Sequence, residues 1–301
     1  MLASLAKNTM RQYNVSFKLW WQYCNDNSLD VFDCYVPTVL SFLSSQYYNG
    51  ASYGSLNNHR SALSLLLGSN IGSDDRIKRL LKGAFKLRPS FPKYSNTWDP
   101  QVVLSYISEW YPNKELSREK ITKKLVILLA LCTAQRVQTM SLIKLENITI
   151  TSTGVNIEIK DMLKTSAPGR EQPCLFLPFF HENPRICPAT VLQDYILVTK
   201  QDRPANIPYL LITVKRPYKS ATAQSISRWI KQTLAESGVD VSKFSAHSTR
   251  HAATSTAATR GTSIDTIRKA AGWTNASKVF AQFYHRPILD DHTFAHSILQ
   301  D

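Results

Sequence analysis

Apolar and aromatic residues recur at helical spacing from the start of the chain. Leu5, Met10, Tyr13, Phe17, Trp20, Trp21 and Cys24 predict a first helix over 5–24. Val36-Pro37-Thr38 opens a second helix reaching Tyr48, with proline in the first turn, where its missing N–H is tolerated. Gly54-Ser55 precedes a third, Leu56 to Leu67, with Arg60 on its polar side. Asp74-Asp75 stand before a fourth, Arg76 to Leu87, as acids are favoured at the positive end of a helix. Arg88 to Asn96 contains two prolines and cannot continue that helix. The expected organisation is a four-helix unit over 1–88, an extended linker over 89–98 and a larger second domain over 99–301, a pair able to close around a rod-like ligand.

In the second part the period changes. Asp99-Pro100 cap a helix to about Tyr111, and a longer one from about Ser117 runs into Ala134-Gln135-Arg136. Alternation in Ile148 to Ile150, Val155 to Ile159 and Leu175 to Leu177 predicts three short strands. Helices resume at Pro188 to Lys200, Ser225 to Ser237, His247 to Thr259 and Ile264 to Ala271. Arg286-Pro287 breaks the chain before a short helix, His292 to Leu299. The class is mainly α with a small antiparallel β-sheet (α+β).

Composition narrows the partners. With 301 residues and 43% hydrophobic content the chain can build two globular cores. Its most apolar segment, Leu125 to Cys132, is far shorter than the roughly 20 residues of a membrane span. Met1 to Thr9 lacks the pattern of a secretion signal, and five scattered cysteines form no framework, so a reducing intracellular compartment is expected, the nucleus in a eukaryote. Thirty-six Lys plus Arg against 22 Asp plus Glu give a net charge of +14. That charge, spread along the whole chain, favours a polyanion such as double-stranded DNA; a merely soluble basic surface is the alternative. The predicted fourth helix bears Arg76, Lys78, Arg79, Lys82, Lys86 and Arg88, a run that fits a solvated face or a row of phosphate contacts. The DNA-contact candidates are Arg60, Lys78, Arg79, Lys82, Lys86 and Lys160.

The candidate chemistry lies in Arg136, Lys164, His247-Ser248-Thr249-Arg250, Gly272-Trp273 and Tyr284. A phenol oxygen can attack a phosphodiester and hold the phosphate as an ester. With a pKa near 10, only about one phenol in a thousand is ionised at neutral pH, so a base and nearby positive charge are needed. Two arginines offer planar forks for the non-bridging oxygens. Each residue also has a plainer reading. Arg136 could neutralise a buried helix end, His247 could be an ordinary first-turn residue with Ser245 as the cap, and Trp273 could be core. Tyr284 is one of 13 tyrosines. His247 and His251 stand four apart like a zinc pair, but no glutamate lies between them. Cys174, His181 and Cys187 are too widely spaced for a metal site. No metal and no cofactor are expected.

Taken in order, these motifs resemble the tyrosine recombinase (phage-integrase-like) family. The matching segments are Thr133-Ala134-Gln135-Arg136, Lys164-Thr165, His247-Ser248-Thr249-Arg250-His251, Gly272-Trp273 and Phe283-Tyr284. Their wording looks most like recombinases of eukaryotic mobile elements, the DIRS-type retrotransposons and Cryptons. The resemblance implies a helical core-binding domain followed by a catalytic domain clamping DNA. It implies Tyr284 as nucleophile forming a 3′-phosphotyrosine, Arg136 and Arg250 on the phosphate, and His247 accepting the phenol proton or holding the phosphate. Lys164, in the Pro-Gly loop of a hairpin over Lys160 to Gly169, is the implied general acid, with Lys160, placed in the alternating strand, the competing lysine; Trp273 donates an indole N–H. His251 is expected to pack beneath the site. The acid common three places after the first Arg is Thr139 here. In family members a tail such as 292–299 docks on a neighbouring protomer, so dimers and a tetramer on two DNA sites are implied. A type IB topoisomerase and a domesticated element that binds DNA without cutting are the alternatives.

Overall fold

The structure, a computed structural model, describes residues 4–91 and 94–273. The chain divides into two compact units, Met1–Pro92 and Lys93–Asp301.

Among its described residues, the first unit has α1 (Lys7–Asp26), α2 (Val36–Tyr48), α3 (Tyr53–Leu67), α4 (Ser69–Ser73) and α5 (Asp75–Leu87). Its core gathers Trp20, Phe42, Leu43, Leu56, Leu63, Ile71, Ile77 and Leu81. The sequence pattern predicts four helices. The extra one, α4, is a single turn with only Ile71 buried, too short for any period to register. Helix α3 starts earlier than expected because Ser52 Oγ accepts the Ser55 N–H and caps it. Helix α5 buries Ile77, Leu81 and Ala84 and exposes all six predicted cations, with Asp74 as its cap.

The second unit has α6 (Pro100–Ser108), α7 (Arg118–Thr133), α8 (Val137–Ser141), β1 (Ile148–Ile150), β2 (Gly154–Glu158), β3 (Cys174–Pro178), α9 (Pro188–Thr199), α10 (Ala223–Glu236), α11 (Ser248–Thr259) and α12 (Ile264–Ala271). The sheet is antiparallel in the order β1-β2-β3, with Ile157 opposite both Ile148 and Leu175. Gly154 has to be glycine, because a Cβ there would collide with the Leu177 carbonyl and the Phe176 ring. Helix α7 is buried from Ile121 to Ala130 without a break, as the central helix of a core is. Even Lys124 is inside, donating to the Trp110 carbonyl and to Asn113 Oδ1. Loss of hydration, and then the charge of Arg185, push that lysine down to about 8.

Four expectations are corrected here. Helix α7 does not run into Arg136: it stops at Thr133, Ala134 takes a left-handed conformation (φ 48°), and Arg136 stands at the N-cap of α8. Lys160 lies outside the alternating strand, because β2 ends at Glu158. Residues 94–98, expected as linker, belong to the second unit, with Tyr94, Thr97 and Trp98 buried. Ser245 does not cap α11; its hydroxyl meets the Tyr94 hydroxyl at 2.6 Å. Tyr284 and the predicted helix 292–299 lie outside the described residues.

Candidate active site

The break between α7 and α8 creates the site. Turning left-handed at Ala134 frees the Ala134 carbonyl from the helix and lets the next residues leave the α7 axis. Arg136 follows in an extended conformation and is half-buried. The first turn of α11 approaches from the other side, with Arg250 1% exposed and His247 open to solvent at the N-cap. Crowding by protein atoms, and then the positive charges of Arg250 and Arg136, hold the His247 imidazole below its ordinary range. Both guanidiniums thus act on one imidazole, which places three of the predicted residues in one electrostatic neighbourhood.

Arg250 is fixed from three sides. Nη1 donates to the Ala134 carbonyl at 2.6 Å and Nη2 to the Ala271 carbonyl at 2.7 Å. The indole ring of Trp273 lies 4.3 Å from its Cζ. The guanidinium therefore bridges the C-terminal ends of α7 and α12, where helix dipoles and unpaired carbonyls favour a cation. An aromatic face stacked on a guanidinium favours its charge as well. Trp273 is itself 8% exposed in a small cluster with Ala134, Ile267 and Ala271. It is at once core and a wall of the arginine's pocket, so neither of the two readings of this tryptophan excludes the other.

The end of α12 collects donors from three parts of the chain. Gln135 Nε2 donates to the Ala270 carbonyl at 2.7 Å, Arg250 to Ala271, and Arg170 Nη2 to the Gly272 carbonyl at 3.1 Å. Gly272 is left-handed (φ 66°), which a side chain would resist, and a Cβ there would stand 3.4 Å from the Gln135 amide. Three consecutive carbonyls at one helix end are satisfied by side chains from three motif-bearing segments.

The strap 94–98 supports the other flank. Ser245 N–H donates to the Tyr94 hydroxyl at 3.2 Å, and Trp98 Nε1 donates to Ser248 Oγ at 2.9 Å. The Tyr94 ring stacks on Phe244 and meets His251 edge-on, and His251 in turn meets His247 edge-on at 5.7 Å. His251, 8% exposed, thus packs under His247. Thr139, which stands where an acid was anticipated, is buried in α8.

The lysines lie on the 159–173 loop between β2 and β3. Lys164 is exposed in a turn of that loop. Lys160, 67% exposed, pairs with Glu158 at 3.3 Å. The basic candidates of the first unit divide. Arg60, Lys78 and Lys82 line a groove with Tyr53, Asn57, Leu81 and Phe85, whereas Arg79 and Lys86 are exposed elsewhere on α5. Arg60 also donates to the Gly72 carbonyl at 3.3 Å, so part of its fork has a structural use. Among the described residues no group of three His, Cys, Asp or Glu side chains could hold a metal ion. No helix among them is long and apolar enough to cross a membrane.

Sequence reasoning missed Gln135, Arg170, Tyr94 and Trp98. Gln135 adjoins the first arginine, and Arg170 lies in the same loop as Lys164. Tyr94 and Trp98 had one signal, aromatics inside a segment too polar elsewhere to be core.

Comparison with known proteins settles the family. The model of the phage integrase family matches residues 107–287, more than half of the chain and spanning every motif above. The chain belongs to the phage integrase family. It is a tyrosine recombinase, an enzyme of site-specific DNA recombination. No curated protein sequence gives a match. Similar folds occur in the Tn1549 transposon integrase (16% identity, TM-score 0.63, covering 99% of this chain and 95% of that one). They occur also in XerH site-specific recombinase (18%, 0.58, 88% and 70%) and in lambda integrase (17%, 0.57, 94% and 91%). At these identities the likeness is one of fold.

Proposed function

We propose that this tyrosine recombinase nicks one strand of a DNA duplex through Tyr284, forming a 3′-phosphotyrosine, and then rejoins it to a 5′ hydroxyl of another strand. The observation that carries the reading is the convergence of Arg136, Arg250 and His247, with both guanidinium charges acting on the imidazole. Phosphoryl transfer spreads negative charge over the non-bridging oxygens in the transition state, and fixed cations aimed there accelerate the reaction instead of merely binding the substrate. In this reading Arg136 and Arg250 face the phosphate. His247, kept neutral by its surroundings, takes the phenol proton. Lys164, or Lys160 from the same loop, gives a proton to the departing 5′ oxygen. Trp273 holds Arg250 and can donate its indole N–H to phosphate. The phosphotyrosine preserves the energy of the broken bond, so no nucleotide cofactor takes part.

Double-stranded DNA is the partner, bound by the second unit and by a helical core-binding unit whose α5 supplies phosphate contacts. Proteins of similar fold have been solved with DNA, lambda integrase among them as a dimer on a core site and as a tetramer on a Holliday junction. Two duplexes need four nucleophiles, so a homo-tetramer joined through the chain after Tyr284 fits the chemistry. The motif wording favours a eukaryotic mobile element of the DIRS or Crypton kind, acting in the nucleus.

The test is covalent trapping. Nicked duplexes of randomised sequence, mixed with the protein and denatured, should leave DNA attached to the wild type. Tyr284→Phe should leave none while retaining DNA in gel shifts. Binding without adduct in the wild type would mean a protein that holds DNA but does not cut it. Relaxation of supercoils by a monomer would mean a topoisomerase.

A further inference from the structure

The 159–173 loop reaches the end of α12 through one side chain. Arg170, half-buried, donates Nη2 to the Gly272 carbonyl at 3.1 Å, across 102 residues of sequence. Gly272 is the left-handed cap of α12, held by its own N–H to the Lys269 carbonyl. Its two preceding carbonyls are tied to Gln135 and Arg250. The acceptor is therefore one of the most constrained atoms near the arginines. The donor shares a loop with the turn at Lys164 and Thr165, where Lys164 is exposed and Thr165 half-buried. Within the loop, Leu163 N–H donates to Ser166 Oγ at 2.9 Å, and Gln172 Nε2 donates to the same oxygen at 2.7 Å. These bonds tie the lysine-bearing turn to the returning stretch that carries Arg170. A fixed anchor, a rigid link and a lysine at the far end are the parts of a positioning device.

We propose that Arg170 is a positioning residue for the general acid: by fastening the loop to Gly272 it sets the lysine's ammonium at the departing 5′ oxygen. This rests on the reading above. In the cleavage step Tyr284 Oη forms a bond to phosphorus and the bond from phosphorus to the 5′ oxygen breaks. The phenol proton goes to His247, and the 5′ oxygen takes its proton from the lysine. A misplaced acid slows only the last of these transfers. If sulfur replaces the 5′ bridging oxygen, the leaving group is a thiolate, stable without a proton, and the acid becomes unnecessary.

The experiment compares single-turnover cleavage of two nicked duplexes, one with a 5′ bridging oxygen and one with a 5′ bridging sulfur. Both carry the sequence recovered from covalently trapped random DNA. Arg170→Ala should cut the oxygen substrate at least roughly tenfold more slowly than wild type, since positioning is a large part of acid catalysis. It should cut the sulfur substrate at nearly the wild-type rate. Arg170→Lys, which keeps one donor, should recover part of the loss. Equal slowing on both substrates would overturn the proposal, because Arg170 would then be holding the arginine pocket in general; no slowing on either would overturn it as well. The lysine variants separate the two levels of argument. Sulfur rescue of Lys164→Ala or Lys160→Ala without rescue of Arg170→Ala defeats the positioning role alone. Failure of sulfur to rescue either lysine variant defeats the assignment of the acid to this loop, and the proposal with it.

Discussion

Two sets of cations in this recombinase obey different physics. On α5, Lys78, Arg79, Lys82 and Lys86 stand exposed; among the described residues only Lys78 of these has an ion pair, with Asp75 at 3.1 Å. Such contacts are worth little to folding. At the end of α12, Arg250 is buried, bonded to two backbone carbonyls and stacked on Trp273. Charge alone suffices for the first set, since an exposed cation near a phosphate works through number and proximity. The second set requires shape. A planar fork spans the ends of two helices, and an ammonium of equal charge cannot.

The sharpest break of that comparison is Arg250→Lys. The charge survives but the bridge does not, and at least one carbonyl loses a charge-assisted bond. Each such bond is worth about 1.5–3 kcal/mol. With some strain at a fully buried site, a loss of roughly 2–4 kcal/mol follows, or a melting point lower by about 5–15 °C. Covalent adducts should disappear as well. Differential scanning calorimetry and denaturing gels read both; a variant as stable and active as wild type would mean that the fork is dispensable.

The same contrast explains what the sequence could tell. Periodicity registers what many residues repeat, so the buried face of α5 and the strands around Ile157 were legible. The motif residues were legible through their order along the chain. What periodicity cannot register is a hydrogen bond made once. Nothing local at Gln135 or Arg170 announces a carbonyl more than a hundred residues away, and nothing at Ala134 announces a left-handed turn, because alanine is a strong helix former. The apolar run of α7 simply continues through Ala134. The segment 94–98 was hidden for a similar reason. Pro89 and Pro92 precede it and Ser95, Asn96 and Thr97 make it polar, while two aromatics anchor it to Ser245 and Ser248.

His247 allows the electrostatic half of the comparison to be measured. Its pKa is depressed, so the imidazole stays neutral as pH falls past its ordinary value near 6.5 and gains its proton only lower. Cleavage should therefore stay level through pH 6.5 and fall beneath it, if the neutral ring takes the phenol proton. Arg136→Gln removes one of the two charges that oppose protonation. The imidazole pKa should move up, towards 6.5, and still fall short of it, since crowding and Arg250 remain. Titration of the imidazole resonances by NMR checks this. An unmoved value would mean that Arg136 does not act on the ring.

Tyr94→Phe tests the strap with a smaller change. The ring stays to stack on Phe244 and meet His251, and only the hydroxyl between Ser245 Oγ and N–H is lost. A net loss of about 1 kcal/mol is expected, or roughly 2–4 °C in melting point. Adduct formation should slow several-fold because the turn before His247 loosens. Unchanged kinetics would limit the strap to a role in stability.

The weakest effect belongs to the exposed set, and it closes the comparison from the other side. Lys82 lines the groove between α3 and α5 with Lys78 and Arg60. If it meets a phosphate, Lys82→Ala should weaken DNA binding about tenfold or less at moderate salt. It should also lower the slope of log affinity against log salt by about 0.9, the share of one phosphate contact. Lys82→Arg should change neither, because a point charge on an open surface has no geometry to lose. Binding titrations across a salt series read both numbers. Should the arginine variant fail as badly as the alanine one, α5 would be recognising shape too, and its cations would be as particular as Arg250.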